Sequence, residues 1–201
     1  MDFSTLKYAY AVSGGIGSGK STACRILMQL GYAVLDCDEI AHSLLEIHQK
    51  EVAELFDIGL DQNGTLDRLA LGKIVFASSL KRQKLEAFLH PLIAERLWKA
   101  CSVLEKKQTI YFVEIPLLFE HFHRFNFSHT ILVYAPKEVQ ILRLMERNAL
   151  SEEEALQRLY AQMPIDEKIQ YAEIVFDNTQ TQEKLKMQIL DWLGGVAAKS
   201  L

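Results

Sequence analysis

Residues 8–21 read YAYAVSGGIGSGKS, a short apolar and β-prone run that ends in paired glycines and is followed by Lys20 and Ser21. From Lys20 onward Cys24, Leu27, Met28 and Leu30 recur at helical spacing, so the stretch predicts a strand, a glycine loop and a helix in that order. Residues 14–21, GGIGSGKS, satisfy G-x-x-x-x-G-K-[ST]; the strand-loop-helix setting separates a phosphate-binding loop from an ordinary glycine-rich turn. Glycines let the backbone curl until successive N–H groups converge on a phosphate, and the positive end of the following helix points at the same spot. Lys20 supplies a cation to β- and γ-phosphates, and the Ser21 hydroxyl is a ligand for a Mg²⁺ that bridges them.

Working outward, Gly31 stops the helix and residues 32–36 (YAVLD) form a second strand ending at Asp36, which completes a β-loop-α-β unit. Residues 39–107 are mostly helical. One break falls at 61–67 (DQNGTLD), where Asn63-Gly64 is a turn signal and Thr65 or Asp67 caps the next helix. Further strands are predicted over 109–115, 128–134 and 173–176, ending at Pro116, Pro136 and Asp177-Asn178. Ser151 with Glu154 is a capping box for a helix reaching toward Met163 and bounded by Pro164, so 137–170 is predicted as a helical hairpin. His90 before Pro91 marks a kink between helices. Beyond Asn178 the chain reads as a closing helix with a frayed end. No repeat, low-complexity stretch or linker divides the sequence, so one α/β domain with helical excursions is expected.

The 201 residues are 49% hydrophobic and 24% charged, enough for one sizeable core. Twenty-two basic against 26 acidic side chains leave a charge of −4, so there is no bulk positive field for nucleic acid and any phosphate site is local. Cys24, Cys37 and Cys101 show no CxxC spacing, which fits a reducing compartment. With no basic-flanked leader and no run of membrane-spanning length, a cytoplasmic, unprocessed protein is expected, without nucleic-acid, membrane or obligatory protein partners.

A phosphate loop does not by itself separate a kinase, a GTPase and a mechanical ATPase. There is no N-K-x-D guanine reader, and DQNG at 61–64 lacks the apolar strand that should precede D-x-x-G, so it reads as a surface turn. The chain is short for an oligomeric motor and has no long apolar run ending in paired acids. A phosphotransferase stands in front, with a nucleotide-binding regulator as the rival. Phosphoryl transfer needs an acid near the acceptor hydroxyl and cations over the phosphoryl group. Asp36 and Asp38 lie at the carboxyl end of the second strand, where ligands bind an open sheet; the alternative is a strand terminus with Asp38 as helix cap, and spacing leaves both open. Gln140, Arg143 and Arg147 share one helix face, suited to a lid or simply solvated. Residues 116–119 (PLLF) fit either core or site, and Glu120 closes that run at the ligand edge.

Together these segments resemble the dephospho-coenzyme A kinase family over about residues 8–178. The resemblance rests on SGGIGSGKST, LDCDEIAH, GTLDRLALGKIVF, LHPLI, PLLFE, the Gln140/Arg143/Arg147 face, Ala161-Gln162 and FDN ending at Asn178. It implies an α/β fold: a three-layer P-loop core with a five-stranded parallel sheet (about 8–38, 108–136 and 171–201). To this it adds a helical acceptor-binding region (about 39–107) and a helical lid (about 137–170). It implies ATP and dephospho-coenzyme A as substrates, with Mg²⁺. Gly15, Ile16, Gly17, Ser18, Gly19, Lys20, Ser21, Thr22, Arg143 and Asn178 would bind ATP. Asp38 would be the base, with Lys20 and Arg143 also in the catalytic set. Asp36, Arg68, His90, Pro116, Leu117, Leu118, Glu120 and Gln162 would lie with Asp38 on the acceptor side. Departures from the family pattern are Ser13 for Thr, Cys37 for Ala, and Phe56-Asp57 for Phe-Gly.

Overall fold

A computed structural model describes residues 1–120 and 125–199. The frayed end expected of the closing helix falls partly on residues 200–201, outside the described residues. The described chain divides into two compact units, Cys37–Ala100 (with Met1) and Asp2–Asp36 with residues from Cys101 on.

The second unit is built on a five-stranded parallel sheet in the order β2-β3-β1-β4-β5. Its strands are β1 (Ala9–Gly14), β2 (Val34–Asp36), β3 (Tyr111–Glu114), β4 (His129–Tyr134) and β5 (Ile174–Asp177). Each of the five predicted strands is present, shifted by at most two residues at either end. β1 is buried along its whole length, as expected of a central parallel strand covered on both faces. One face carries Tyr10, Val12, Phe112, Ile131, Val133 and Phe176. Against it pack Cys24, Ile26 and Leu27 of α1 (Lys20–Gln29) and Leu185, Ile189 and Leu193 of α9 (Gln182–Lys199). The alternate residues Ala11, Tyr111, Val113 and Leu132 are buried on the opposite face, where the Tyr111 hydroxyl donates to Glu105 Oε2 at 3.0 Å. Because β1 lies between β3 and β4 while its own successor β2 lies beyond β3, the strand order reverses beside β1. The crevice at the carboxyl end of β1 is therefore where a ligand site is built.

In the same unit, α6 (Lys137–Asn148) and α7 (Glu152–Tyr160) form the predicted hairpin. The Ser151/Glu154 capping box is present. α7 stops at Tyr160 rather than near Met163, because Pro164 excludes the helical conformation before it and then opens the short α8 (Ile165–Lys168).

The first unit contains α2 (Cys37–Ile47), α3 (Gln49–Phe56), α4 (Arg68–Ala77) and most of α5 (Ser79–Glu105). Val52, Ala53, Phe56, Leu66 and Leu71 form its core. One open alternative closes and one expectation changes. α2 begins at Cys37, so Asp38 and Glu39 lie within its first turn and Asp38 is not a cap preceding the helix. His90 and Pro91 lie inside α5, which continues through them: proline removes one backbone donor, and the hydrogen bonds of the flanking turns carry the helix across. The turn at 61–67 forms as read. Asp61 Oδ1 accepts the N–H groups of Asn63 and Thr65 at 2.8 Å, and Asp67, not Thr65, caps α4 by accepting from Leu69 and Ala70.

Asp57, which replaces the expected glycine, ends α3 with φ 54° and ψ 46°, the left-handed conformation in which a Cβ is strained. Asp57→Gly should raise stability by about 0.5–1 kcal/mol, read as a higher urea midpoint at unchanged slope.

Candidate active site

The loop between β1 and α1 is held from outside. Gly17 and Gly19 have φ of 78° and 93°. A Cβ on Gly17 would stand 2.8 Å from the Gln140 carbonyl of α6, and one on Gly19 would enter the Asn178 side-chain amide. Gln140 and Asn178 are 2% and 5% exposed, so neither has room to withdraw. Glycine is needed for close packing as well as for φ.

Asn178, just past β5, donates from Nδ2 to the Ser18 carbonyl at 2.8 Å, and its own N–H donates to Tyr134 O at 2.8 Å. Arg143, on the buried face of α6, donates from Nη1 to Gly17 O (3.4 Å) and Ser18 O (3.3 Å) and from Nη2 to Asn178 O (2.7 Å). A trans peptide points its C=O and N–H in opposite directions, so anchoring the Ser18 carbonyl outward turns the Gly19 N–H inward, into the cradle. No side chain caps α1, whose N-cap is Gly19, so its first amide groups are available to an anion.

Lys20 extends from the first turn of α1 to an ion pair with Glu114 Oε1, and Ser21 Oγ lies 3.5 Å from the same oxygen. Glu114 ends β3, in register with Val12 of β1 and Asp36 of β2, so the two strand-end acids stand side by side at the carboxyl edge. Glu114 was missed by the sequence reading. Its signal is present, an acid closing the apolar run YFVE, but a search for paired acids passes over a single one. One turn along α1, Cys24 is fully buried; burial, with the Glu114 charge adding to it, pushes its thiol well above the ordinary range and keeps it protonated.

A cavity of about 480 Å³ opens beside the loop, lined by Gly17, Gly19, Thr22, Arg143, Arg147 and Asn178 among others. The Gln140/Arg143/Arg147 face is thus turned onto the loop and its cavity. Among the described residues no three His, Cys, Asp or Glu side chains form a metal cage. Ser21 and Glu114 nevertheless offer hard oxygen donors that fit a divalent cation completing its shell from phosphate and water.

The expected acceptor residues fall in both units. Asp38, Arg68 and His90 belong to the helical one, where the Arg68 guanidinium is held by Glu46 at 2.7 Å and by the His42 ring. Asp36, Pro116, Leu117, Leu118, Glu120 and Gln162 belong to the sheet unit. The Pro116 carbonyl accepts from Ser13 Oγ at 3.2 Å, Leu118 is a fully buried core residue, and Leu117 is half buried. Gln162 accepts the Ile16 N–H of the phosphate loop at 2.9 Å, and Glu120 pairs with Lys168 at 2.7 Å.

A parallel sheet whose central strand feeds this loop, with a loop lysine on a strand-end acid and an arginine helix laid over the loop, defines a P-loop kinase. The dephospho-CoA kinase family model matches residues 8–183. A dephospho-CoA kinase of Helicobacter pylori is 44% identical over 92% of this chain and 95% of its own length, and that of Wolinella succinogenes is 42% identical over 92% of each. The solved dephospho-CoA kinase from Campylobacter jejuni superposes with a TM-score of 0.77 at 31% identity, covering 96% of this chain and 99% of that one. The chain belongs to the dephospho-CoA kinase family.

Gly19→Ala should destabilise the fold by about 1–2 kcal/mol through left-handed strain and the displaced Asn178 amide, and should weaken Mg·ATP binding at least tenfold. Thermal unfolding and calorimetric titration read the two effects.

Proposed function

We propose that the chain phosphorylates the ribose 3′-hydroxyl of dephospho-coenzyme A with ATP, giving coenzyme A and ADP, the last step of coenzyme A biosynthesis. The observation that carries this reading is the Lys20–Glu114–Ser21 cluster beneath a phosphate loop overlaid by Arg143.

The loop N–H groups and Lys20 bind the β- and γ-phosphates of ATP, with Arg143 and Asn178 fixing the loop and bordering the nucleotide cavity. Ser21, supported by Glu114, would hold Mg²⁺, which when bound neutralises phosphate charge. The acceptor 3′-oxygen attacks the γ-phosphorus as the bond to the β,γ-bridging oxygen breaks. Asp38 takes the hydroxyl proton, and Lys20 and Arg143 balance the charge that gathers on the departing ADP. The helical unit, with Arg68 and His90, holds the acceptor, and the hairpin of α6 and α7 serves as the lid. Asp36 places acceptor or metal from the strand edge beside Glu114. No helix among the described residues is long and apolar enough to cross a membrane, which fits a cytoplasmic enzyme of two soluble substrates.

ADP release with Mg·ATP is to be measured with dephospho-coenzyme A, AMP, adenosine and shikimate in parallel. Selective turnover of the first, with one phosphoryl group added by mass, is expected. Turnover of another acceptor instead would overturn the substrate, and nucleotide binding without turnover would favour a regulator. Lys20→Ala should lower kcat by about 10²–10³-fold in a chain that still folds, with a lower melting temperature because Glu114 loses its partner. Asp38→Asn should lower kcat by about 10²–10⁴-fold while ATP affinity stays within twofold; equal losses in both would assign Asp38 to structure or metal.

A further inference from the structure

Lys168, in α8, is 0% exposed, yet it carries a charge that nothing in the proposed chemistry uses. Its Nζ stands 2.7 Å from Glu120 Oε1, off the hydrogen-bonding direction, as a close-range ion pair. Taking an ammonium and a carboxylate out of water is expensive, and such a pair is weak evidence for stability by itself. The same Glu120 oxygen also accepts the Met163 N–H at 3.2 Å. The residue before Met163 is Gln162, whose Oε1 accepts the Ile16 N–H at 2.9 Å. On the far side of the turn, the Ile165 side chain packs where a Cβ on Gly15 would stand, at 3.3 Å.

These contacts form one path: Lys168 fixes the Glu120 carboxylate, Glu120 fixes the backbone at Met163, and that backbone aims Gln162 at the phosphate loop. Gln162 holds the loop at Ile16, ahead of the Gly17 and Ser18 carbonyls that Arg143 and Asn178 hold. We infer that Glu120 and Lys168 are positioning residues for the nucleotide loop, acting through Gln162, and that Glu120 does not touch the acceptor. This rests on the loop's being the ATP site.

The test uses pairs of substitutions that leave no unpaired buried charge. Glu120→Leu with Lys168→Met removes the acceptor for the Met163 N–H, whereas Glu120→Gln with Lys168→Met retains it. The first pair should raise the Mg·ATP dissociation constant and KM about tenfold, with kcat at saturation and the dephospho-coenzyme A KM within threefold of the unmodified protein. The second should rescue ATP affinity to within about threefold. Gln162→Met should match the first pair, and combining the two should add nothing further, because both cut one path. A rise in acceptor KM with ATP affinity unchanged would overturn the inference and return Glu120 to the acceptor. Equal ATP affinity in the two pairs, or multiplicative losses in the combination, would also overturn it. Should the leucine pair not fold, Glu120→Met with Lys168→Met takes its place, since methionine has about the volume of glutamate and offers no strong acceptor to the Met163 N–H; ATP affinity equal to that of the Glu120→Gln pair would overturn the path. Direct ATP binding needs no acceptor, so this outcome stands apart from whether dephospho-coenzyme A is the substrate.

Discussion

The Ser18 carbonyl must be held outward if the Gly19 N–H that follows it is to face a phosphate, and that requirement organises the sheet unit. Arg143 from α6 and Asn178 from the end of β5 supply the donors, while Gln162 takes the Ile16 N–H. None of these side chains is near the loop in sequence. The sheet order brings them there: β4 and β5 lie successively beside β1, so the residues that follow each strand surround the crevice at its carboxyl end.

Electrostatics follow from the same geometry. A lysine, a hydroxyl and a carboxylate share one mostly buried corner, and the carboxylate keeps Lys20 pointed into the site instead of toward solvent. Leaving either charge there alone would be costly, so the pair is set by mutual need as well as by its use. A nucleotide arriving with its own negative charge meets a lysine already directed and amide groups already turned, so little reorganisation is left to binding.

The residues of the proposed reaction are spread over both units. Those proposed to handle phosphate charge, Lys20, Ser21, Glu114 and Arg143, all belong to the sheet unit. Asp38, Arg68 and His90, assigned here to the acceptor, belong to the helical one.

How much was legible in the sequence depends on whether the deciding interaction is local. The phosphate loop, the five strands, the Ser151/Glu154 capping box and the turn at Asp61 follow from periodicity and short-range hydrogen bonding, so they can be read from neighbours in the chain. Long-range pairing was not legible. Glu114 looks like one acid at the end of a strand until the β1–β3 register sets it against Lys20, and Leu118 looks available to substrate until packing buries it. Gln140 and Arg143 read first as a solvated face until α6 is laid on the loop. The sequence by itself determined which segments become strand, loop and helix, and that the loop has the form of a phosphate cradle, because backbone conformation and local caps set those. Only the tertiary structure decided which distant side chains hold the loop, because that depends on strand order and burial, which no local spacing encodes.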